Sequence, residues 1–411
     1  MAGPVNWLHR QTKVTRRTTA AVFAAIVLLG AGYLIGRTHP VGRLLRQLRG
    51  HSQEKAASYL VDQQIAPGVA KERYRELNEL LDEQLKGCLA GASRWEGLLE
   101  TTTQSKREEI VATTRSELLS VLHPWPGPRP DLAPRYGKRI QRPGLSGRLV
   151  EITTHRGVKL TGALLEPEER EVPLPALLVL HGMYGGIDSL LDDIDYHHGL
   201  GAELARAGFV VFAPLRVDTT IETRNTLYVK ALASGWSLET VDLWQLVRAI
   251  DFLESLEHVA AMHIGVVGIS LGGQHALWLG ALDKRVSAVV SMAYFTNRFA
   301  WLFQRPDGDP SLPPGREIGK QIRTYDNVLF FPSMGIALDD LHLAALIQPR
   351  FLAFVVGTQD ARHKAAKREF QKVQKLYQHL GKKERTTFID FEGGHEVSLD
   401  QVIPFLRRAL G

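Results

Sequence analysis

The chain has 411 residues, enough for two or three average domains or for one large α/β body with additions. At 44% hydrophobic and 23% charged it has material for a full globular core, and its single cysteine, Cys88, excludes an intrachain disulfide and any cysteine metal cluster. The net charge of +6 is concentrated at the start: eight Lys/Arg and no acid precede Glu54, which argues for a membrane-surface contact there and against nucleic-acid binding by the body.

Residues 1–18 form a basic tail. Residues 19–36, TAAVFAAIVLLGAGYLIG, carry no charge and have arginines on both sides. Such a run is just long enough to cross a bilayer core of roughly 30 Å. It predicts an uncleaved N-terminal anchor, with a cleaved signal peptide led by Arg16 and Arg17 as the alternative. Four Lys/Arg precede the run and four follow it, so the positive-inside count ties; the expectation is a bacterial inner membrane with the body on the periplasmic side. Gly32 and Gly36 make a GxxxG too isolated to predict span packing.

Residues 37–130 read as a helical spacer and linker. Leu77, Leu80, Leu81, Leu85 and Leu89 recur at three- and four-residue spacing beside acidic positions, an apolar stripe that seeks a partner surface, simplest as packing on the body. The connector His123-Pro124-Trp125-Pro126-Gly127-Pro128-Arg129-Pro130 ends this region.

From Leu149 the pattern becomes strands alternating with helices. Leu149–Thr154 and Val158–Leu165 read as a hairpin, Pro175–His181 as a buried strand, Leu200–Ala207 as a helix, Gly208–Pro214 as a strand and Glu239–Leu256 as an amphipathic helix. Then comes HIGVVGISLGGQHALWLGAL, residues 263–282: a β-branched run, Gly268-Ile269-Ser270-Leu271-Gly272, and an apolar helix. A nucleophilic serine must stand on a very tight strand-to-helix turn, and side chains two residues either side would collide with strand and helix, hence glycine at 268 and 272. Arg285–Ser291 and Phe351–Gly357 supply two more strands. Lys364–Leu380 reads as a helix, Thr386–Phe391 as a strand and Val402–Leu410 as the closing helix. This alternation predicts a mostly parallel central sheet with helices on both faces.

These motifs, in this order over residues 135–411, resemble the α/β-hydrolase superfamily, closest to its dienelactone hydrolase and acetyl (xylan) esterase-like serine esterases. The resemblance implies an α/β-hydrolase domain over 131–411, with 294–349 as a cap-like insertion. Its aromatics Phe295, Phe299, Trp301, Phe303, Phe330 and Phe331 either wall the substrate pocket or pack the core; the wall reading favours acetyl to butyryl esters over long chains.

The resemblance also implies a triad in the order Ser, acid, His: Ser270, then Asp360 after the strand FLAFVVG, then His395 in Glu392-Gly393-Gly394-His395-Glu396. Asp390 is the rival acid, and Asp339 and Asp340 are weaker ones. By analogy the oxyanion hole takes the backbone N–H of Leu271 and of Met183, the latter in the loop His181-Gly182-Met183-Tyr184-Gly185-Gly186. Tyr184 either closes over the pocket or packs. Asp192, Asp193, Asp195, His197 and His198 lack metal-ligand spacing and read as a solvated loop; Asp307 and Asp309 read as a turn.

The function expected is a membrane-anchored serine hydrolase that cleaves small-molecule carboxylic esters, with no cofactor, metal or nucleic-acid partner and an open oligomeric state. The alternatives are a prolyl oligopeptidase-like serine peptidase, disfavoured by the absence of upstream propeller repeats, and a catalytically inactive binding protein on the same fold.

Overall fold

The computed structural model describes residues 103–122, 127–168, 173–216, 221–297 and 339–411, with a few single positions between 76 and 98. The basic tail, the 19–36 run and most of the 294–349 insertion therefore lie outside the described residues. The chain divides into Met1–Glu83 and Gln84–Gly411. In the first unit Leu77 and Leu80 are helical and 47% and 52% exposed. No described helix is long and apolar enough to cross a membrane.

The second unit begins, among its described residues, with helix α1 (Gln104–Leu122), followed by strands β1 (Arg135–Arg142), β2 (Leu145–His155), β3 (Val158–Pro167) and β4 (Leu174–Leu180). Helices α2 (Ile187–Leu191) and α3 (Leu200–Arg206) lead to β5 (Val210–Pro214), and α4 (Ile221–Ala233) and α5 (Leu238–Glu254) to β6 (Val259–Ile269). After them come α6 (Leu271–Leu282), β7 (Val286–Met292), α7 (Asp340–Ile347), β8 (Phe351–Gly357), α8 (His363–His379), β9 (Thr386–Phe391) and α9 (Val402–Leu410).

The strands form one sheet in the order β1-β2-β3-β5-β4-β6-β7-β8-β9. From β5 to β9 all neighbours are parallel, and β1, β2 and β3 add an antiparallel flank. The parallel strands are buried on both faces, so they read in the sequence as unbroken apolar runs. One core layer joins α1, α5, α6, α7 and α8 to the sheet; the other joins α2, α3 and α9.

Four elements were not anticipated, the five-residue α2 among them. β1, RYGKRIQR, is nearly all exposed and charged, so no apolar alternation announces it; such an edge also discourages pairing with another chain. α4 has almost no amphipathic signal. The predicted long loop ends in α7, whose eight residues are all buried. At the other end of that segment Phe295 is fully buried and stacks on Phe354 with ring centroids 4.0 Å apart, so this aromatic fills core and does not wall a pocket.

Register sets the site's position. Ile269 pairs with Met292, Met292 with Val355, and Gly357 with Phe391, so the carboxyl ends of β6, β7, β8 and β9 share one edge. Ser270 follows β6 directly, Asp360 lies three residues past β8, and His395 four past β9.

At the opposite edge α1 is fastened by one side chain. Arg115 donates to the carbonyls of Ala281 (2.7 Å), Leu282 (3.2 Å) and Leu346 (3.3 Å) at the ends of α6 and α7, the last of them shared with Arg350 (3.1 Å). Arg115→Met removes these three bonds and should lower stability by about 1–3 kcal/mol, read as a lower urea midpoint with an unchanged slope.

Candidate active site

Ser270 sits at φ 57°, ψ −119°, a left-handed conformation that a side chain adopts only under constraint. The constraint is backbone packing. A Cβ on Gly268 would lie 2.2 Å from the Gly272 carbonyl oxygen, and one on Gly272 would lie 2.2 Å from that of Leu180. The Ser270 N–H donates to Met292 O (2.8 Å) and its own carbonyl accepts from the Gln274 N–H (3.0 Å). α6 begins at Leu271, so the unpaired N–H groups and positive dipole end of that helix stand beside the serine.

Asp360 and His395 meet directly. His395 Nδ1–H donates to Asp360 Oδ2 at 2.6 Å, and the Arg362 N–H donates to the other oxygen at 2.9 Å. Burial alone would raise the Asp360 pKa, but these two bonds outweigh it and hold the carboxyl below its usual range. With Nδ1 committed, His395 presents Nε2 as its acceptor. The two glycines before His395 pack on the end of β8: a Cβ on Gly357 would approach Gly394 O to 2.3 Å, and the Gln359 N–H donates to Gly393 O (2.9 Å).

The rival acids have other tasks. Asp390 faces α8, paired with Lys367 and 3.5 Å from His363. Asp339 caps α7, and Asp340 accepts from the Tyr294 hydroxyl (3.2 Å) and the Thr296 N–H (3.1 Å).

No hydrogen bond joins Ser270 to His395 among the described residues. The two converge on the same neighbours: a Cβ on Gly182 would stand 3.1 Å from Ser270 Cβ and 2.2 Å from the Tyr196 hydroxyl, and the Tyr196 ring lies 5.7 Å from that of His395. Such contacts are commonly loose before substrate binds.

The loop after β4 is fixed at each peptide. Gly182 O accepts from His181 Nδ1 (2.8 Å) and from the Gly185 N–H (3.2 Å). Across the trans peptide the Met183 N–H therefore points the opposite way, out of the loop. The Gly182 N–H donates to His197 Nε2 (2.8 Å), and Met183 O accepts from the Tyr196 hydroxyl (2.9 Å). Tyr184, at φ 63°, is 63% exposed and does not pack in the core.

His197 and Asp195 thus correct the expectation of a solvated loop. His197 is fully buried; its Nδ1–H donates to Asp195 Oδ1 (2.6 Å), which also accepts from the His197 N–H (2.9 Å), while Oδ2 accepts from Ser189 (2.7 Å). Asp192 holds Arg142 through two bonds of 2.8 and 2.7 Å. The available signal was Asp195 and His197 two residues apart, close enough for a local bond.

The dienelactone hydrolase family profile matches residues 160–299, and that of the BAAT / acyl-CoA thioester hydrolase C-terminal domain matches 241–400. The structure superposes on an acetyl xylan esterase of Bacteroides fragilis with a TM-score of 0.59, at 16% identity, covering 76% of this chain and 93% of that one. The chain has the α/β-hydrolase fold. A glucuronoyl esterase of Solibacter usitatus gives a TM-score of 0.53 at 18% identity, over 72% of this chain and 92% of that one. Hydrolase YtaP of Bacillus subtilis is 26% identical over 153 residues, 35% of this chain and half the length of that protein. Over residues 160–299 the chain resembles the dienelactone hydrolase family.

Beneath the loop after β4 the chain buries a charged cluster that no local sequence pattern announces. Arg216 donates to Asp242 Oδ2 (2.8 Å) and to the His181 carbonyl (2.8 Å), lies 2.8 Å from His275 Nδ1, and its N–H donates to His181 Nε2 (3.2 Å). It thereby ties β4 and β5 to α5 and α6. Burial, reinforced by the Arg216 charge, depresses the pKa of His181 to about 4 and that of His275 to about 3.

Both imidazoles are neutral in the native state near pH 7, whereas in the unfolded chain they protonate near 6.5. The unfolded state then binds more protons below pH 6.5, so their contribution to stability is complete above 6.5 and declines as pH falls toward about 4 and about 3. Guanidinium unfolding from pH 7 to 4 should show stability falling with acid, and His275→Gln should make that decline shallower.

Proposed function

We propose that this hydrolase is a serine esterase that cleaves small-molecule carboxylic esters through an acyl-enzyme, with Ser270 as nucleophile, His395 as base and Asp360 as orienting acid. The observation that carries the reading is the Asp360–His395 hydrogen bond of 2.6 Å on the sheet edge where Ser270 holds its positive φ.

Ser270 Oγ attacks the ester carbonyl while His395 Nε2 takes its proton. Asp360 keeps Nδ1 protonated and balances the imidazolium. The Leu271 and Met183 N–H groups receive the developing oxyanion. His395 then gives its proton to the departing alcohol oxygen, and the C–O bond breaks to leave the acyl group on Ser270. Water, deprotonated by His395, attacks that acyl group in the second half, and the acid product leaves with Ser270 restored.

Ser270→Ala should lower kcat/KM for p-nitrophenyl acetate by at least about 10³, with an unchanged melting curve, since its hydroxyl takes no part in core packing. Wild-type turnover in that variant overturns the reading. Asp360→Asn should lose on the order of 10²–10⁴ through a misheld histidine.

The proposal includes a tether, supported by the uncharged 19–36 run between arginines. The full chain should sediment with membranes and resist carbonate extraction. A mature N-terminus beyond Gly36 would establish a cleaved leader and remove the anchor.

A further inference from the structure

The turn between α2 and α3 touches both halves of the proposed site. Tyr196 lies at its centre. Its hydroxyl donates to Met183 O (2.9 Å) in the oxyanion loop, and its carbonyl accepts from the Val397 N–H (3.0 Å), two residues past His395. Its ring rests on His197 with centroids 4.0 Å apart, and its other neighbour is the His395 ring at 5.7 Å and 43°. His197 cannot move, because Asp195 holds one ring nitrogen and the Gly182 N–H the other. The base loop is stitched to the same turn by His198 Nε2 and Glu396 Oε2 at 3.3 Å.

We propose that Tyr196 is a positioning residue that couples the oxyanion hole to the base: its hydroxyl steadies Met183, whose N–H is the donor, and its ring favours the protonated form of His395. The inference rests on His395 being the base. The hydroxyl's part follows from the loop. Gly182 O, held by His181 and Gly185, sets the direction of the Met183 N–H across their shared peptide, and Tyr196 holds Met183 O in the next peptide, so Met183 is pinned on both sides of its Cα. Without the hydroxyl the second peptide is released and the donor is held from one side only.

The ring's part arises when His395 takes the Ser270 proton. An aromatic face within about 6 Å attracts a cation, and more strongly where water is excluded. No proton is exchanged with Tyr196. The other titratable groups around His395 are Asp360 on Nδ1, the buried His197, and Glu396 with His198, which Asp193 keeps more readily protonated than an ordinary histidine. All of these remain in the variants below, so their influence on the pH profile is common to every member of the series.

The experiment measures kcat, KM and the acid limb of kcat/KM with p-nitrophenyl acetate on the full chain. Tyr196→Phe keeps the ring and removes the hydroxyl; kcat should fall roughly tenfold, less than the loss of about 10²–10³ that follows outright removal of an oxyanion donor, with KM within about twofold and the acid limb in place. Tyr196→Leu removes the ring as well. The limb should then move to lower pH by about half a unit, because the imidazolium has lost a stabilising face.

A pentafluorinated phenylalanine at position 196 preserves the shape of Tyr196→Phe while reversing the ring's charge distribution. It should shift the limb in the same direction even if Tyr196→Leu does not fold. Wild-type kcat in Tyr196→Phe overturns the hydroxyl's role. An unmoved limb in the fluorinated protein overturns the ring's role. Failure of the underlying triad would show separately, as wild-type turnover in His395→Ala.

Discussion

Backbone against backbone at Gly268 and Gly272 is the contact on which the site depends. The carbonyl oxygens of Gly272 and Leu180 occupy the space that side chains at those positions would need. That closeness brings α6 onto β4 and β6 and bends the chain so sharply that Ser270 takes a conformation it would not choose alone. The oxyanion loop departs from the end of β4, beside the same contact. Its nearness to the serine is therefore a product of sheet packing, and a single added methyl group would separate the two.

Around that contact the structure uses histidines as fixed, neutral connectors. His181, His197 and His275 each have a depressed pKa, with burial as the main cause. A neutral imidazole donates at one nitrogen and accepts at the other, so it can join an N–H to a carbonyl or carboxylate that could not otherwise meet. His181 does so between Arg216 and Gly182, and His197 between Gly182 and Asp195. His395 differs in position: it is partly open to solvent, and among the described residues no hydrogen bond clamps its Nε2.

The parts legible in the sequence are those whose signal is local. The elbow is spelled out within five residues, and β8, β9 and α9 have the boundaries that their apolar patterns predict. Asp360 and His395 stand out by their places after two strands, and the fold brings their side chains within 2.6 Å. What escaped depends on distant partners. β1 is a strand because β2 pairs with it, not because its charged sequence asks for one. The Asp195–His197 pair looks solvated until the loop from β4 folds over it, and Arg216 gains its meaning from residues 26 to 59 positions away and from His181 before it. Phe295 became core because Phe354 lies opposite, which no periodicity within the insertion reveals.

The seat of Arg115 has a mechanical consequence. α6 starts at the elbow and runs twelve residues to Leu282, so its far end lies about 18 Å from the serine, at the rim of the sheet opposite the catalytic mouth. Arg115 grips the chain there, together with the end of α7. A pull arriving through the polypeptide ahead of α1 is thus delivered to the base of the enzyme along the helix axis. The strained turn at Ser270 is sheltered from that force by the full length of α6.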